Sequence, residues 1–292
     1  MFQQLKYFEE QDYLDLNRHV IEDGIWIKNK RTGVRCKTID RCMFLYDASQ
    51  GHLPVVTTRY GPYKTAIAEM LGYLRGYNSA AQFRAIGCKT WDANANKTKA
   101  WLANPHRKGE DDMGRPYGSQ GRDWRGPEGQ SIDQLRKVYE NLKNGIDDRG
   151  EIVTYWNPGE FDRSCLRPCM HTFNFTLIDG ELSLNCFQRS NDLPLGTVAN
   201  MVQAVIFLQL MAQITGNKPK DVLHVLVNCH IYENQLDLMR DVQLERKPFP
   251  MPKIKINPNI KTLEDLETWV TTDDFELVGY EHHEQIHYPF SE

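Results

Sequence analysis

A hairpin pattern near the middle of the chain constrains the possible folds more than any other stretch. Residues 171–187 alternate apolar and polar side chains on both sides of the dipeptide Asp179-Gly180. An Asp-Gly pair between alternating runs is a strong signal for a two-residue turn that joins antiparallel strands. The pairing brings Cys169, at the head of one strand, next to Arg189, at the tail of the other. Because a nearby guanidinium lowers a thiol pKa, we expect an activated cysteine nucleophile here.

The composition is that of an ordinary globular protein. The chain has 292 residues, of which 40% are hydrophobic and 25% charged. We find no repeat, low-complexity linker or composition shift, so we expect a single domain over residues 1–292. The net charge of −4 gives no basic field, which argues against nucleic acid as the main partner. An anionic small molecule held by local arginines remains compatible with this charge.

Seven scattered cysteines and the absence of a CxxC pair bear on location and metals. Cys165 and Cys169 have no second pair at metal-binding spacing, so we expect no metal site. The stretch 1–6 lacks the pattern of a secretory signal, which favours a reducing cytoplasm and free thiols. The longest apolar run, 204–214, contains two glutamines and is too short and too polar to cross a bilayer, so we expect no membrane association.

Helical and extended patterns alternate along the chain and predict one α+β domain. Period-3.6 apolar patterns predict helices at 13–22, 63–76, 80–86, 133–143, 200–215 and from 233 to about 244. Besides the hairpin, alternating or β-branched runs predict strands at 36–46, 151–156, 222–227, 254–256 and 274–280. The polar stretch 93–124 predicts long loops, which are usually functional. Glu69 lies in the apolar stripe of the second helix, where it is either buried with a raised pKa or merely flanking the stripe.

Short motifs along nearly the whole chain resemble those of the thymidylate synthase family. In order they are Arg31-Thr32-Gly33, Ala68-Glu69 through Gly76, Thr90-Trp91-Asp92, Pro116-Tyr117-Gly118, Asn157-Pro158, Pro168-Cys169, Gln188-Arg189-Ser190 with Asp192, Leu195-Gly196, Asn200, residues 212–216 and His230-Ile231-Tyr232. Any one motif is weak, but the ordered set is specific. The resemblance implies a thymidylate synthase-like α+β fold, with a large mixed sheet flanked by helices and packed back to back in a homodimer.

The family's chemistry explains why these residue types occur. Carbon 5 of uracil becomes nucleophilic only after a thiolate adds to carbon 6, and the resulting enolate needs hydrogen-bond donors and a proton acceptor. By resemblance, the nucleophile is Cys169 and its activator is Arg189. Glu69 and Tyr117 would move protons through ordered water. The alternative for Cys169 is a buried core thiol, which is the common state of free cysteines.

The resemblance also assigns a dUMP site. Asn200 would read the uracil edge, since an amide offers the acceptor and the donor that N3–H and O4 require. The alternative is a helix N-cap. His230 and Tyr232 would hold the deoxyribose hydroxyl, or alternatively are core residues at a strand end. The remaining dUMP contacts are Gln188 and Asn191, and the phosphate ligands are Arg31, Arg149, Arg189 and Ser190.

Arg149 has a special place in this assignment. The family donates an Arg-Arg pair to the other subunit's phosphate, and here that pair reads Arg149-Gly150. We therefore expect Arg149 to reach the partner's active site and one contact to be lost, unless a residue such as Arg59 replaces it.

The folate site is the least regular part of the resemblance. The co-substrate 5,10-methylenetetrahydrofolate would contact Trp91, Leu166, Asp192, Leu195, Gly196 and Tyr232, with Asp192 on the pterin ring; Trp91 alone is more often a core residue. The family usually has His at Met170, an aromatic residue at Ala199 and an apolar tail at Ser291-Glu292. Asn191 resembles the phage nucleotide hydroxymethylases more than the usual synthase.

These departures leave two enzymes and one other class open. Thymidylate synthase would convert dUMP to dTMP and dihydrofolate. A looser, wetter folate pocket would favour water over hydride and make a dUMP 5-hydroxymethylase, which yields 5-hydroxymethyl-dUMP and tetrahydrofolate. A catalytically dead relative that binds nucleotide or messenger RNA is the third hypothesis, and the intact Cys169, Arg189, Asn200 and Asp192 argue against it.

Overall fold

A mixed β-sheet with helices packed on one face organises the protein, as the computed structural model shows for residues 5–28 and 33–290. The helices are α1 Glu10–Asp23, α2 Tyr63–Leu74, α3 Ala80–Ala85, α4 Asp92–Asn96, α5 Lys99–Leu102, α6 Gly118–Arg122, α7 Gln134–Lys143, α8 Val198–Thr215, α9 Leu236–Leu238 and α10 Leu263–Thr268. The strands are β1 Ile25–Lys28, β2 Arg35–Asp47, β3 Trp124–Arg125, β4 Ser131–Ile132, β5 Ile152–Thr154, β6 Met170–Ile178, β7 Glu181–Gln188, β8 Asn191–Asp192, β9 Lys218–Tyr232, β10 Lys253–Ile256 and β11 Phe275–Val278.

The large sheet has the order β1-β2-β9-β7-β6-β5, with β8 also paired to β9. Strand β9 runs parallel to β7 and β8, and all other neighbouring pairs are antiparallel. The predicted α+β class with a large mixed sheet is therefore confirmed. The parallel β7–β9 pairing requires a crossover connection, and α8 provides it.

The predicted hairpin is confirmed as the β6–β7 pair. Asp179 and Gly180 have φ values of +51° and +76°, and the register closes on Ile178 opposite Glu181. Two positive φ values in a two-residue turn match the right-handed twist of the paired strands. At the other end of the hairpin the register shifts between Met170 and Thr172, so His171 forms a bulge two residues after Cys169.

Helix α8 forms the centre of the core, and most of its residues are buried. It ends at Gly216, whose φ of +75° is the left-handed conformation typical of a glycine after a helix. The span Leu193–Thr215 is long and apolar enough to cross a membrane. The run 204–214 considered in the sequence is therefore part of a longer apolar span. However, 72% of its apolar window is buried in the protein, as in the core helix of a globular domain.

Several element boundaries differ from the sequence-based prediction. Strand β9 spans Lys218–Tyr232 instead of 222–227, because it pairs with β2 along nearly its whole length. His230 and Tyr232 therefore lie within the strand. The predicted helix up to residue 244 is a series of short 3-10, α and π turns. The short elements β1 and α10 were not predicted.

The face of the sheet opposite the helices carries exposed apolar side chains. Met43 on β2, Phe187 on β7 and Val227 on β9 are 53%, 38% and 44% exposed. Their strands are neighbours in the sheet, so these side chains lie on one continuous surface. A contiguous apolar surface is typical of an interaction site.

Candidate active site

Cys169 lies directly before β6, where the hairpin strands meet the loop region. The Arg189 backbone N–H donates to the Cys169 carbonyl oxygen at 2.9 Å. The Cys169 backbone N–H donates to the Tyr117 hydroxyl oxygen at 2.8 Å. The predicted neighbourhood of the thiol-bearing residue and the arginine is therefore present, and Tyr117 joins it from a loop more than fifty residues away in sequence.

The Arg189 side chain forms hydrogen bonds with the turn that precedes Cys169. Its Nε and Nη2 atoms donate to the carbonyl oxygens of Pro168 and Arg167, both at 2.9 Å. The guanidinium carbon lies 5.4 Å from the centroid of the Trp156 ring. Since a guanidinium has five N–H donors, these contacts fix its position and leave donors for an anion.

Tyr117 adopts a strained backbone conformation that serves the site. Its φ of +42° is unusual for a residue with a side chain. The ring stacks on Tyr73 at 4.6 Å and meets Trp91 edge-on at 5.3 Å. Burial raises the pKa of Tyr117 well above its usual range, and the nearby Cys169 adds to the shift. The phenol therefore stays protonated and retains an O–H to donate.

Glu69, on α2, is buried within the apolar stripe, as one of the two sequence-based alternatives expected. Thr90 Oγ1 and Gln203 Nε2 each donate to its carboxylate at 2.6 Å. Burial raises the Glu69 pKa, while these hydrogen bonds act in the opposite direction. A buried carboxyl group with a raised pKa is suited to hold and release a proton.

Asn200 lies in the first turn of α8 with both ends of its amide bonded. Its Oδ1 accepts from Gln188 Nε2 at 2.8 Å, and its Nδ2 donates to Gln203 Oε1 at 2.8 Å. The helix begins at Val198, so Asn200 is not the N-cap. An oxygen has a second lone pair and an NH₂ a second hydrogen, so the amide can still pair with a base.

The Gln188 side chain is buried and donates a hydrogen bond to Asn200. It is 2% exposed, and its Nε2 also donates to the Ser190 carbonyl oxygen at 3.1 Å. Its Oε1 lies 2.9 Å from Nε2 of the buried His224. Both hydrogens of the Gln188 amide thus bond to the protein, and its predicted contact with dUMP stays a prediction. Ser190 itself is half-buried at the end of this strand.

Asp192 brings an unsatisfied carboxylate oxygen to the site. The β8–β9 register places it opposite His230. Its Oδ1 is buried without a hydrogen-bond partner among the described residues, and Gln235 Nε2 lies 3.4 Å from its Oδ2. Burial raises the pKa of Asp192 to about 6, although Gln235 and the Leu195 backbone oppose the shift. An orphaned buried carboxylate oxygen suits a ligand that presents N–H donors.

His230 and Tyr232 lie beside one another and are both buried. The His230 ring meets the Tyr232 ring edge-on at a centroid distance of 5.2 Å. His230 Nδ1 is 2.9 Å from the Asn228 carbonyl oxygen, which orients the imidazole. Both predicted residues therefore lie near Asp192, at the C-terminal end of β9.

The predicted folate-site residues fall into two groups. Trp91 is 3% exposed and packs within an aromatic cluster that includes Tyr117, so its core alternative is also satisfied. Leu195 and Gly196 lie in the π turn that connects Asp192 to α8. A Cβ at Gly196 would be 3.9 Å from Asn200 Oδ1, so this turn lies beside the Asn200 amide. Leu166 is half-buried against the core.

The structure bears on three further sequence-based assignments, and two others lie outside the described residues. The Asn191 side chain is fully buried, its Nδ2 donates to the Val227 carbonyl oxygen at 2.8 Å, and its Oδ1 has no hydrogen-bond partner among the described residues, so its contact with dUMP stays a prediction. Met170 is fully buried in the core, so it does not open the folate pocket. Arg59 is 3% exposed and donates to backbone carbonyl oxygens, so it does not replace the missing phosphate ligand. Arg31 and the Ser291-Glu292 tail lie outside the described residues.

Arg149 is exposed on the loop between α7 and β5, with a φ of +66°. Within residues 5–28 and 33–290, no carboxylate forms an ion pair with its side chain. Over the same residues, no group of three His, Cys, Asp or Glu side chains could hold a metal ion. The seven cysteines all lie among the described residues, and none of them is in a disulfide.

Comparisons with known proteins agree with this geometry. The family model described as "Thymidylate synthase" matches residues 11–292. The chain belongs to the thymidylate synthase family. It is 61% identical over 281 residues to the thymidylate synthases of Pseudoalteromonas translucida and Haemophilus influenzae (strain PittEE), and 60% identical to that of Shewanella pealeana. In each case the match covers 96% of this chain and 99% of the relative.

Three residues of this thymidylate synthase-family site were not predicted from the sequence. Gln203 joins Asn200 to Glu69, His224 supports Gln188, and Thr90 bonds Glu69. Gln203 had a usable signal: it is a polar residue three positions after Asn200 in a mostly apolar helix, so the two side chains lie on the same face. His224 lies in a strand without a comparable local pattern.

Proposed function

We propose that the protein is a thymidylate synthase, which transfers a one-carbon unit from 5,10-methylenetetrahydrofolate to carbon 5 of dUMP and yields dTMP and dihydrofolate. The observation that carries this proposal is the convergence at one end of the β6–β7 hairpin. There the nucleophile segment contacts Tyr117 and Arg189, while the base-reading Asn200 connects to Glu69 through a single side chain. Relatives about 60% identical carry the name of this enzyme.

The first step requires a thiolate at Cys169 and a fixed backbone around it. The Cys169 Sγ–C6 bond forms as electrons move from the ring double bond onto O4. Asn200 Nδ2 retains a hydrogen that can donate to O4, and Asn200 Oδ1 retains a lone pair for N3–H. Donors that are already oriented stabilise developing charge without reorganisation.

Glu69 and Tyr117 would direct the movement of protons in the site. The Tyr117 hydroxyl, next to the Cys169 backbone, would donate its O–H to an ordered water molecule, and that water would take the proton that leaves carbon 5. Glu69 would exchange protons with O4 through water at the opposite edge of the base. Both groups lie in a buried aromatic environment, where electrostatic interactions are strong.

The residues present fit a folate co-substrate. Asp192 Oδ1 is buried and without a partner, which is the acceptor that a pterin ring with N–H groups would satisfy. When bound, the co-substrate supplies the one-carbon unit and then a hydride. Leu166, Leu195, Gly196 and Tyr232 would border it, with Trp91 behind the ring.

The sugar and phosphate would lie between β9 and the Arg189 turn. His230 and Tyr232 would hold the deoxyribose hydroxyl. Arg189 and Ser190 would bind the phosphate together with Arg31. Charge-assisted, paired hydrogen bonds make arginine the preferred phosphate ligand.

We also propose a homodimer in which Arg149 completes the partner's phosphate site. The exposed apolar face formed by Met43, Phe187 and Val227 supports back-to-back packing of two sheets. Arg149 is exposed and forms no ion pair with any described residue, as an arginine that serves another subunit would. We expect one domain over residues 1–292 and a cytoplasmic location.

The hydroxymethylase alternative loses its main structural support. It rested partly on Met170 and Asn191, and both side chains are fully buried. The relatives named above are synthases. Methyl transfer is therefore the function that the site supports best.

A matched pair of cysteine variants tests the mechanism. Cys169→Ala should abolish dTMP formation and the release of tritium from carbon 5 of labelled dUMP. Cys165→Ala, four residues away, should leave both unchanged, because burial raises the pKa of Cys165 to about 12 and keeps it a thiol. Retained activity in Cys169→Ala would refute covalent catalysis by this residue.

A further inference from the structure

A continuous chain of side-chain hydrogen bonds crosses the protein from the sheet to helix α2. Tyr46 and His224, both buried, lie at one end, with the Tyr46 hydroxyl 3.2 Å from His224 Nδ1. The chain continues from His224 through Gln188, Asn200 and Gln203 to the Glu69 carboxylate, with successive distances of 2.9, 2.8, 2.8 and 2.6 Å. Every member except Asn200 is less than a tenth exposed.

The direction of this chain is fixed by groups that can only accept. Gln203 Nε2 donates to the Ala66 carbonyl oxygen at 3.3 Å as well as to Glu69, so its Oε1 must face Asn200. Gln188 Nε2 donates to the Ser190 carbonyl oxygen, so its Oε1 must face His224. Each glutamine therefore has one permitted orientation, and the two glutamines together dictate the orientation of the amide between them.

We propose that Gln203 and His224 are positioning residues that set base specificity, by locking the Asn200 amide in the orientation that fits uracil and rejects cytosine. Gln203 acts directly on Asn200 from the helix side. His224 acts from the sheet side by donating to Gln188. This inference rests on the proposed nucleotide site and names the residues that decide which base it takes.

The two bases demand opposite orientations of the amide. Uracil presents N3–H as a donor and O4 as an acceptor, whereas cytosine presents N3 as an acceptor and its amino group as a donor. In the observed orientation Asn200 Oδ1 faces the Gln188 donor and Nδ2 faces the Gln203 acceptor. To pair with cytosine the amide would flip, and it would then lose both hydrogen bonds and place like groups against each other.

His224 is suited to support this lock because it has one fixed tautomer. Burial lowers its pKa to about 3, so the ring stays neutral at physiological pH. With the Tyr46 hydroxyl at Nδ1, the ring's single N–H lies on Nε2 and donates to Gln188 Oε1. The groups that face the ring are thus one hydroxyl and one amide, both uncharged.

The test compares the binding of dUMP and dCMP to the full-length protein by isothermal titration calorimetry. Gln203→Met keeps the length of the side chain and removes its three hydrogen bonds, to Asn200, Ala66 and Glu69. We expect it to lower the ratio of the dCMP dissociation constant to the dUMP dissociation constant at least about tenfold, the equivalent of roughly one lost hydrogen bond. His224→Phe should lower the same ratio by about threefold, because Gln188 keeps its bond to Ser190.

Tyr139→Phe is the matched control. It removes a hydroxyl from another fully buried residue, on α7, whose partner is Lys143. Its ratio should equal that of the wild type, which separates specificity from a general loss of core packing. Folded Gln203→Met with a ratio within twofold of wild type would overturn the proposal. If Gln203→Met does not fold, an unchanged ratio in His224→Phe overturns it instead.

The synthase proposal and this inference about base specificity can be contradicted independently of each other. Wild-type protein that discriminates between dUMP and dCMP but forms no dihydrofolate would contradict the synthase and leave this inference intact. Wild-type protein that forms dihydrofolate, together with variants of unchanged ratio, would contradict only the inference.

Discussion

Asp192→Asn should make the protein more tolerant of high pH, since the native carboxylate is buried at a cost. Burial raises the Asp192 pKa from 3.8 to about 6, and its Oδ1 has no hydrogen-bond partner among the described residues. A pKa that is higher in the folded state means that the folded protein binds more protons than the unfolded chain between these two values. Stability therefore falls as pH rises from 3.8 towards 6 and stays lower above that range.

The size of the effect follows from the shift. One pKa unit corresponds to about 1.4 kcal/mol, so the ionised carboxylate lowers the free energy of unfolding by roughly 3 kcal/mol at pH 8. At pH 5 about half of this cost is relieved, since the folded-state group is then mostly protonated. The asparagine variant has no such term. The stability difference between wild type and variant should therefore change by roughly 1.5 kcal/mol between pH 5 and pH 8.

The assay is urea unfolding of both proteins at the two pH values and at one protein concentration, because dimerisation makes stability concentration-dependent. Comparing the two proteins cancels all other titrating groups. Asp111→Asn is the matched control, because the Arg84 guanidinium lowers the pKa of Asp111 from 3.8, so this carboxyl group stays ionised between pH 5 and pH 8 and the variant should show the wild-type pH dependence. A parallel pH dependence of the wild type and Asp192→Asn would refute the reasoning. The variant should also lose folate binding. The carboxylate of Asp192 would then lower stability but be required to bind the co-substrate.

Three further predictions concern the subunit contact, the proton relay and the C-terminal segment. Mixing inactive Arg149→Ala with inactive Cys169→Ala and letting the subunits exchange should restore about a quarter of wild-type activity, since roughly half of the dimers are hybrids with one intact site; no recovery would contradict a shared site. Glu69→Gln should lower kcat for dTMP formation by about 10²-fold or more while dUMP still binds, and a kcat within threefold of wild type would exclude Glu69 from proton transfer. Tyr288→Phe removes the hydroxyl that donates to buried Gln243 Oε1 at 2.7 Å. Urea unfolding should show a loss of about 1–3 kcal/mol, because a buried acceptor is left unpaired; a change below about 0.5 kcal/mol would contradict this.

The sequence predicted those parts of the fold that depend on local patterns. The Asp179-Gly180 turn and its two strands were correct because turn residues and alternation act over a few positions. The neighbourhood of Cys169 and Arg189 followed directly from that turn. The parallel pairing of β7 with β9 was not predictable from any local pattern, because α8 separates the two strands.

The site was harder to predict because burial decides what a polar side chain does. Gln188 and Asn191 lie within two residues of Arg189 and were assigned to the nucleotide, yet both amides are buried and each donates to another part of the protein. The strand alternation that exposes one residue buries the next. Conversely, Gln203 and His224 lie in apolar elements and look like isolated polar residues, although together they hold the Asn200 amide through partners that are distant in sequence.

The most direct test of the central claim is the amount of dihydrofolate formed for each dUMP consumed. Wild-type protein is incubated with dUMP and 5,10-methylenetetrahydrofolate, dihydrofolate is followed by absorbance, and nucleotides are separated by chromatography. The account predicts that dihydrofolate and dTMP appear in equal amounts and match the loss of dUMP. Loss of dUMP with 5-hydroxymethyl-dUMP as product and no dihydrofolate would contradict it.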